Sequence, residues 1–375
     1  MTKDVLKGLL ASLIGIFFTI IIFEMVFLFL PVTDATYAQP VNEENPYFHF
    51  HPDRKIMISY GWNFQISNMK KVNNYGFMSD HDFDPYDERP LLGIIGDSYV
   101  EAMQVQNKET MHGLLAHEFE DKGRVYGVGL SGSPLSQYLA YSQFLADEFS
   151  PDGIVIVIVG NDFDESMIKY KNAPGFHYFQ CEANDACSLK RIDYSGKSTW
   201  NKMATQSGIL RYINNTLGVP LGSVFNVLMK PDPVVKEKYV GNVSASVDSE
   251  RLQDSFKAVN LFLSLLPEYS KLKPEKILFV LDGMRPNLYS EEGLKEAKGS
   301  YFDLMRKFFM KEALDSGYEV IDMQEIFHNF FLSTGEKFEF YPVDAHWNET
   351  GHRLVAEEIK KSTLFRNVFA SSRES

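Results

Sequence analysis

Cysteine is nearly missing from this sequence. There are two in 375 residues, Cys181 and Cys187, both inside the stretch CEANDACS. So low a count excludes a disulfide-dense scaffold. A two-cysteine zinc site is disfavoured too, because no histidine follows the pair at zinc-ligand spacing. Outside the cytoplasm, so close a pair predicts a disulfide pinning a small loop. Positive charge is also scarce: 37 Lys and Arg face 50 Asp and Glu, giving a formal net charge of -13. No stretch beyond the N-terminus is strongly basic, so a nucleic-acid partner is excluded by repulsion. Internal repeats and low-complexity tracts are lacking, which excludes a repeat array. What remains is 45% hydrophobic and 23% charged, the composition of a globular protein with one large domain or two smaller ones. Aromatic residues reach 14%, which fits either a large core or sugar-stacking surfaces.

One hydrophobic run stands apart. From Leu9 to Leu30 the chain is apolar except for Ser12, Thr19 and Glu24. A helix of that length reaches across a bilayer core of about 30 Å. It exceeds the roughly 7–15 residues of a signal-peptide core, and no small-x-small cleavage site follows closely. Lys3 and Lys7 precede it; Asp34, Glu43 and Glu44 follow. The positive-inside tendency then predicts an uncleaved anchor in the inner (cytoplasmic) membrane, crossing once, with the rest of the chain on the periplasmic side. Glu24 within the span requires either water at the outer end or a partner.

The expected organisation is a cytoplasmic stub at 1–8, a membrane span at 9–30 and a lead-in at 31–87. A catalytic domain follows at 88–365, with an insertion at about 163–250, and then a tail at 366–375. Within the domain apolar runs alternate with amphipathic segments. Strands are predicted at 91–95, 124–129, 153–160, 276–283 and 318–323. Helices are predicted at 113–122, 135–149, near 203–218 within the insertion, and at 255–272, 301–317 and 349–361, the last capped by Asn348. GIVIVIVG at 153–160 is apolar throughout, as a strand buried on both faces must be. Five such strands separated by helices predict an α/β fold: a parallel five-stranded sheet between two helical layers. Ligands of such sheets bind outside the carboxyl ends of the strands.

Those ends carry nearly all the small and polar punctuation of the domain. They are Gly96-Asp97-Ser98, Gly129-Leu130-Ser131-Gly132, Gly160-Asn161-Asp162, Asp282-Gly283-Met284-Arg285 and, ahead of the last helix, YPVDAHWNETGH. Serine becomes a nucleophile only when a base removes its proton. His346 is the predicted base for Ser98, and Asp344, two residues earlier, the carboxylate that orients it. The expected oxyanion donors are the backbone N–H of Ser98, the backbone N–H of Gly132 and the side-chain amide of Asn161. Arg285 is a candidate contact for substrate or for a carboxylate. Trp347 either lines the acyl or sugar pocket or packs inward. Asp97 and Asp162 are expected to hold loop backbone, and His352 to pack at its helix N-terminus.

GDSYVE, GLSGSPLSQYL, VGNDF and DAHWNETGH resemble, in order and rough spacing, the four sequence blocks of the SGNH (GDSL) hydrolase superfamily, over about residues 88–362. The resemblance implies the same three-layer, flavodoxin-like fold. It implies Ser98 as nucleophile, Gly132 and Asn161 as oxyanion donors, and Asp344 with His346 as the base pair. It departs from the family at two points. The last block reads Asp-x-His where many members have Asp-x-x-His, and Gly127 stands where an asparagine is frequent. DAHW is also similar to the Asp-x-His-Trp of alginate-type polysaccharide O-acetyltransferases, but only locally, since their motif order differs.

The expected function is thus a membrane-anchored serine esterase acting on small O-acyl groups of cell-envelope glycans, with no cofactor and no metal. One alternative is a polysaccharide O-acyltransferase using the same site and an integral membrane acyl-donor partner. The other is a non-catalytic envelope binding protein that retains the fold.

Overall fold

In a computed structural model of the chain, residues 3–182, 186–197, 202, 205–219, 240–241, 243, 245 and 247–370 are described. The chain divides into two compact units. One comprises residues 1–37, 55–70 and 197–234, the other 38–54, 71–196 and 235–375.

The smaller unit begins with a 25-residue helix, Lys3–Phe27, of mean hydropathy 2.5 over its most apolar window. It starts earlier and stops sooner than the expected span at 9–30. Leu28–Leu30 have left the helix, because Pro31 disfavours helical geometry in the residue before it. Glu24 is not left alone: its carboxylate accepts from the Ser207 hydroxyl and from the Gly208 N–H at 2.7 Å. Residues 55–70 of the expected lead-in and 205–219 of the expected insertion belong to this one unit. Their contacts span more than a hundred positions, as in Asp34 with Arg211 at 2.8 Å and Thr33 N with the Thr216 hydroxyl at 3.2 Å. Periodicity reports only local order, so it treats such segments as separate. The helix predicted near 203–218 is a single turn, Gly208–Arg211, continued by a π-type turn at Tyr212–Thr216; Met203 and Ala204 lie outside the described residues.

The larger unit carries the sheet. Its elements open with β1 (Leu91–Gly96), α1 (Ser98–Glu101), α2 (Met111–Glu118), β2 (Arg124–Gly129), α3 (Leu135–Glu148) and β3 (Gly153–Ile158). A hairpin, β4 (His177–Cys181) and β5 (Cys187–Arg191), precedes α4 (Ser249–Ser270), β6 (Ile277–Leu281), α5 (Glu291–Ala297), α6 (Tyr301–Asp315) and β7 (Glu319–Asp322). Then come α7 (Met323–Thr334), a short pair β8 (Glu339–Phe340) and β9 (Asp344–Trp347), α8 (Glu349–Lys361) and α9 (Thr363–Ala370). The helix α9 runs across the domain boundary expected at 365.

The sheet order is β2-β1-β3-β6-β7, all parallel. All residues of β1, β2, β3 and β6 are buried. Alternate residues serve opposite faces. Leu92, Ile94, Val155, Val157, Leu278 and Val280 share one apolar core with Met111, Leu115, Val355, Ile359, Leu364 and Val368 from α2, α8 and α9. On the other face Leu145 of α3 lies against Gly93, and Phe279 packs its ring on Phe262 of α4 and Phe309 of α6. The fold is therefore the expected three-layer arrangement. In the hairpin, Cys181 and Cys187 sit in register and are joined by a disulfide. Strand order 2-1-3 reverses at β1, and the crevice beyond its carboxyl end is where this architecture places ligands.

Candidate active site

Ser98 is the first residue of α1, two positions past the end of β1. Asp97 caps α1 by accepting the Tyr99 N–H at 2.9 Å, which turns the chain sharply from strand into helix and leaves the Ser98 hydroxyl partly exposed. Burial pushes the Asp97 carboxyl above the usual carboxylate range, in spite of the Tyr99 N–H. Ser98 Oγ lies 2.7 Å from His346 Nε2 and 3.2 Å from Asp97 Oδ2. On the far side of the imidazole, Nδ1 is 2.8 Å from Asp344 Oδ1, which also accepts the His346 backbone N–H at 2.8 Å. The two-residue spacing works because 344–347 is the strand β9. In a strand, residues two apart share a face.

The charges follow from this packing. Burial disfavours the imidazolium, but the bonded Asp344 carboxylate outweighs it, and His346 is raised above the ordinary histidine value. Burial opposes ionisation of Asp344 as well, yet the bond to His346 leaves its carboxyl below the usual range. Such an arrangement is chemically able to activate a serine oxygen for attack on an acyl carbon, the imidazole taking the hydroxyl proton while the carboxylate orients the ring and stabilises the imidazolium.

The flanking loops rise from the neighbours of β1. Gly96 pairs in register with Gly129 of β2, which leads to Gly132, and β3 leads to Asn161. Gly132 has φ +82°, the left-handed region that favours glycine. Its N–H has no protein acceptor among the described residues. The Asn161 amide donates to Glu165 at 3.2 Å. The departure at Gly127 also has a steric reason. A Cβ there would stand 2.6 Å from the His112 ring, so an asparagine requires that buried histidine to move.

Of the alternatives the sequence leaves open, the structure shows Arg285 meeting carboxylates and Trp347 packing inward. They are 1% and 0% exposed. The Arg285 guanidinium grips Asp282 through Nε at 3.1 Å and Nη2 at 2.7 Å, donates to Tyr99 Oη at 2.9 Å and the Ala345 carbonyl at 3.1 Å, and reaches Glu339 at 3.4 Å. Trp347 Nε1 donates to Asp282 Oδ1 at 3.0 Å. Both side chains thus hold β9 against the sheet, with the Tyr99 ring 4.9 Å from that of His346. A buried arginine must be paired, and its partners are carboxylates that sequence position alone leaves unconnected.

Other residues enter the site that sequence reasoning missed. Gln104 Nε2 lies 3.2 Å from Asp344 Oδ2 and 3.1 Å from His346 Nδ1. Glu101, buried in α1, accepts the Ser131 N–H at 3.0 Å and the Ser131 hydroxyl. Lys171 pairs with Glu165 and donates to the Gly132 carbonyl at 2.9 Å. Glu101 alone carried a signal, a carboxylate three residues after Ser98 on an otherwise apolar turn. Asp162 accepts the Val159 N–H at 2.8 Å, and burial beside Asp97 keeps its carboxyl well above the usual range. His352 is buried against Trp347, with Nδ1 3.3 Å from the Met111 N. Among the described residues no group of three or more His, Cys, Asp or Glu is arranged to hold a metal ion.

No family model matches the sequence, and no curated protein does. Solved structures with similar coordinates include a member of the lipolytic G-D-S-L family from Veillonella parvula, with 11% identity, TM-score 0.36, and 73% of this chain and 97% of that one covered. Another is the acetyl xylan esterase AlAXEase, with 13% identity, TM-score 0.37, and 73% and 99% covered. A third is a catalytic mutant of Axe2, an acetylxylan esterase from Geobacillus stearothermophilus, with 11% identity, TM-score 0.37, and 72% and 93% covered.

Proposed function

We propose that this protein is a serine esterase of the SGNH type, acting through an acyl-Ser98 intermediate. The observation that carries the reading is the continuous line from Ser98 Oγ through His346 to Asp344, with contacts of 2.7 and 2.8 Å. In this reading His346 Nε2 takes the Ser98 proton as Oγ attacks the ester carbonyl. The oxyanion that develops meets the N–H groups of Ser98 and Gly132 and the Asn161 amide. The alcohol leaves with the proton from His346, and water, activated in the same way, releases the acid.

The substrate we infer is a small O-acyl group on an envelope glycan. Support comes from the apolar helix Lys3–Phe27, which fits a membrane anchor, and from the disulfide, which fits an oxidising compartment. We place the larger unit on the periplasmic side of the inner membrane. Transfer of the acyl group to a sugar hydroxyl shares the first half-reaction, so the test must include an acceptor. A fluorophosphonate probe is expected to label the full-length chain in detergent and to lose its target in Ser98→Ala. A chromogenic acetyl ester supplied with an oligosaccharide is expected to yield free acetate. Acetylated sugar identifies a transferase instead, and an unlabelled, well-folded wild type identifies a binding protein.

A further inference from the structure

Two side chains grip the loop at Gly132 on either side of one peptide bond. The Ser131 N–H is held by the buried Glu101 carboxylate at 3.0 Å. The Gly132 carbonyl is held by Lys171 Nζ at 2.9 Å. Between these anchors lies the peptide that carries the Gly132 N–H. Lys171 Nζ also pairs with Glu165 Oε2, and that same oxygen accepts the Asn161 amide at 3.2 Å. A Cβ on Gly132 would meet Lys171 Nζ at 3.2 Å, so the lysine lies over the space that glycine leaves open.

We propose that the Lys171–Glu165 ion pair is a positioning clasp, which sets the Gly132 N–H and the Asn161 amide in one fixed geometry for the oxyanion. The proposal rests on the esterase reading. Its physical basis is that donors stabilise a transition state in proportion to how little they must reorganise. A glycine peptide in the left-handed region and a carboxamide on a broad terminal torsion are both soft. Anchoring the Gly132 carbonyl restrains the first. Engaging one N–H of Asn161 restrains the second and leaves its other N–H available. The clasp side chains are 22% and 29% exposed, and an ion pair that wet contributes little to stability. Its loss should therefore register in rate rather than in folding. The sign of the charge matters too. Lys171→Met leaves the Glu165 carboxylate uncompensated beside a developing negative charge, so it should cost more than loss of Glu165.

The test uses the full-length chain in detergent with a chromogenic acetyl ester. Lys171→Met is expected to lower kcat about ten- to a hundredfold, as misplacement of about 1 Å does, with KM and the thermal midpoint nearly unchanged. Glu165→Ala should lower kcat as well, whereas Glu165→Gln, which keeps an acceptor oxygen, should stay within a few-fold of wild type. In an Asn161→Ala background Glu165→Ala should lose most of its effect, because the group it positions is gone. Wild-type kcat in both Lys171→Met and Glu165→Ala overturns the clasp, as does a full multiplicative loss in the Asn161→Ala background. An active, fluorophosphonate-labelled wild type with unaffected variants sinks the clasp alone. An inactive, unlabelled wild type sinks the esterase reading and the clasp with it.

Discussion

Replacing Arg285 by methionine separates an interior brace from a substrate contact. The guanidinium is 1% exposed, and Asp282 and Glu339 beside it are 0% and 4% exposed in their side chains. Methionine fills much of the same volume but leaves two buried carboxylates without their cation. Removing one partner of a buried ion pair costs about 3–5 kcal/mol. Against a typical domain stability of about 5–15 kcal/mol, that is about a fifth or more of the total. With a urea dependence of about 1–3 kcal/mol per molar, the unfolding midpoint should fall by roughly 1–5 M. The same change removes the guanidinium from the Ala345 carbonyl and the Tyr99 hydroxyl beside His346, leaving the Tyr99 hydroxyl on that carbonyl at 3.3 Å to hold β9. A drift of about 1 Å in the imidazole lowers kcat about a hundredfold, while KM holds. The assay pairs urea unfolding of the full-length chain with steady-state kinetics on an acetyl ester. A severalfold rise in KM, with the unfolding midpoint and kcat preserved, refutes the reasoning and returns Arg285 to the substrate.

Because Asp344 raises His346 above its ordinary value of about 6.5, and the base must be neutral, kcat/KM should fall as pH drops through a limb that lies above 6.5. A pH–rate profile flat through that region contradicts a histidine base. Asp344→Asn removes the charge that raises His346, so the limb should move to lower pH while kcat falls on the order of 10⁴-fold, as in other serine triads. Cys181→Ser with Cys187→Ser opens a loop closed across six positions. The chain-entropy argument predicts a loss of about 2 kcal/mol at most, seen as a lower melting temperature, with kcat unchanged because none of the relay residues lies in that hairpin.

The sheet was legible because β1, β3 and β6 are unbroken apolar runs that give way to small or polar residues. Ser98 was legible because it follows such an end, and His346 because it sits in the polar block ahead of α8; the fold brings hydroxyl and imidazole to 2.7 Å. The helix α7 was missed because MQEIFHNFFLST follows β7 without a loop and its aromatic residues blur the helical period. The choice between substrate and carboxylate for Arg285 stayed open in the sequence because the answer depends on chain packing. The burial of Arg285 depends on Glu339, 54 positions later, as well as on Asp282, three positions earlier. Lys171 and Glu165 were invisible for a related reason. They lie at the start of a segment without strand–helix rhythm, and their meaning comes only from the loops they touch.

The spacing Asp-x-His can be tested as a matter of backbone geometry. In β9 the Asp344 and His346 side chains share a face because the segment is extended, and β9 is held extended by pairing with β8, by Arg285 on the Ala345 carbonyl and by Trp347 on Asp282. Inserting one alanine after Ala345 creates the Asp-x-x-His spacing common in SGNH hydrolases. In an extended segment, however, a shift of one residue moves a side chain to the opposite face. With the His346 side pinned by Trp347, Asp344 should turn away from Nδ1. The insertion variant should then behave as Asp344→Asn does, with kcat reduced by orders of magnitude and the acid limb displaced to lower pH, while the probe still reaches Ser98 slowly. If the variant keeps wild-type kcat, the carboxylate is not placed by the strand, and the account of why two-residue spacing serves this protein is wrong.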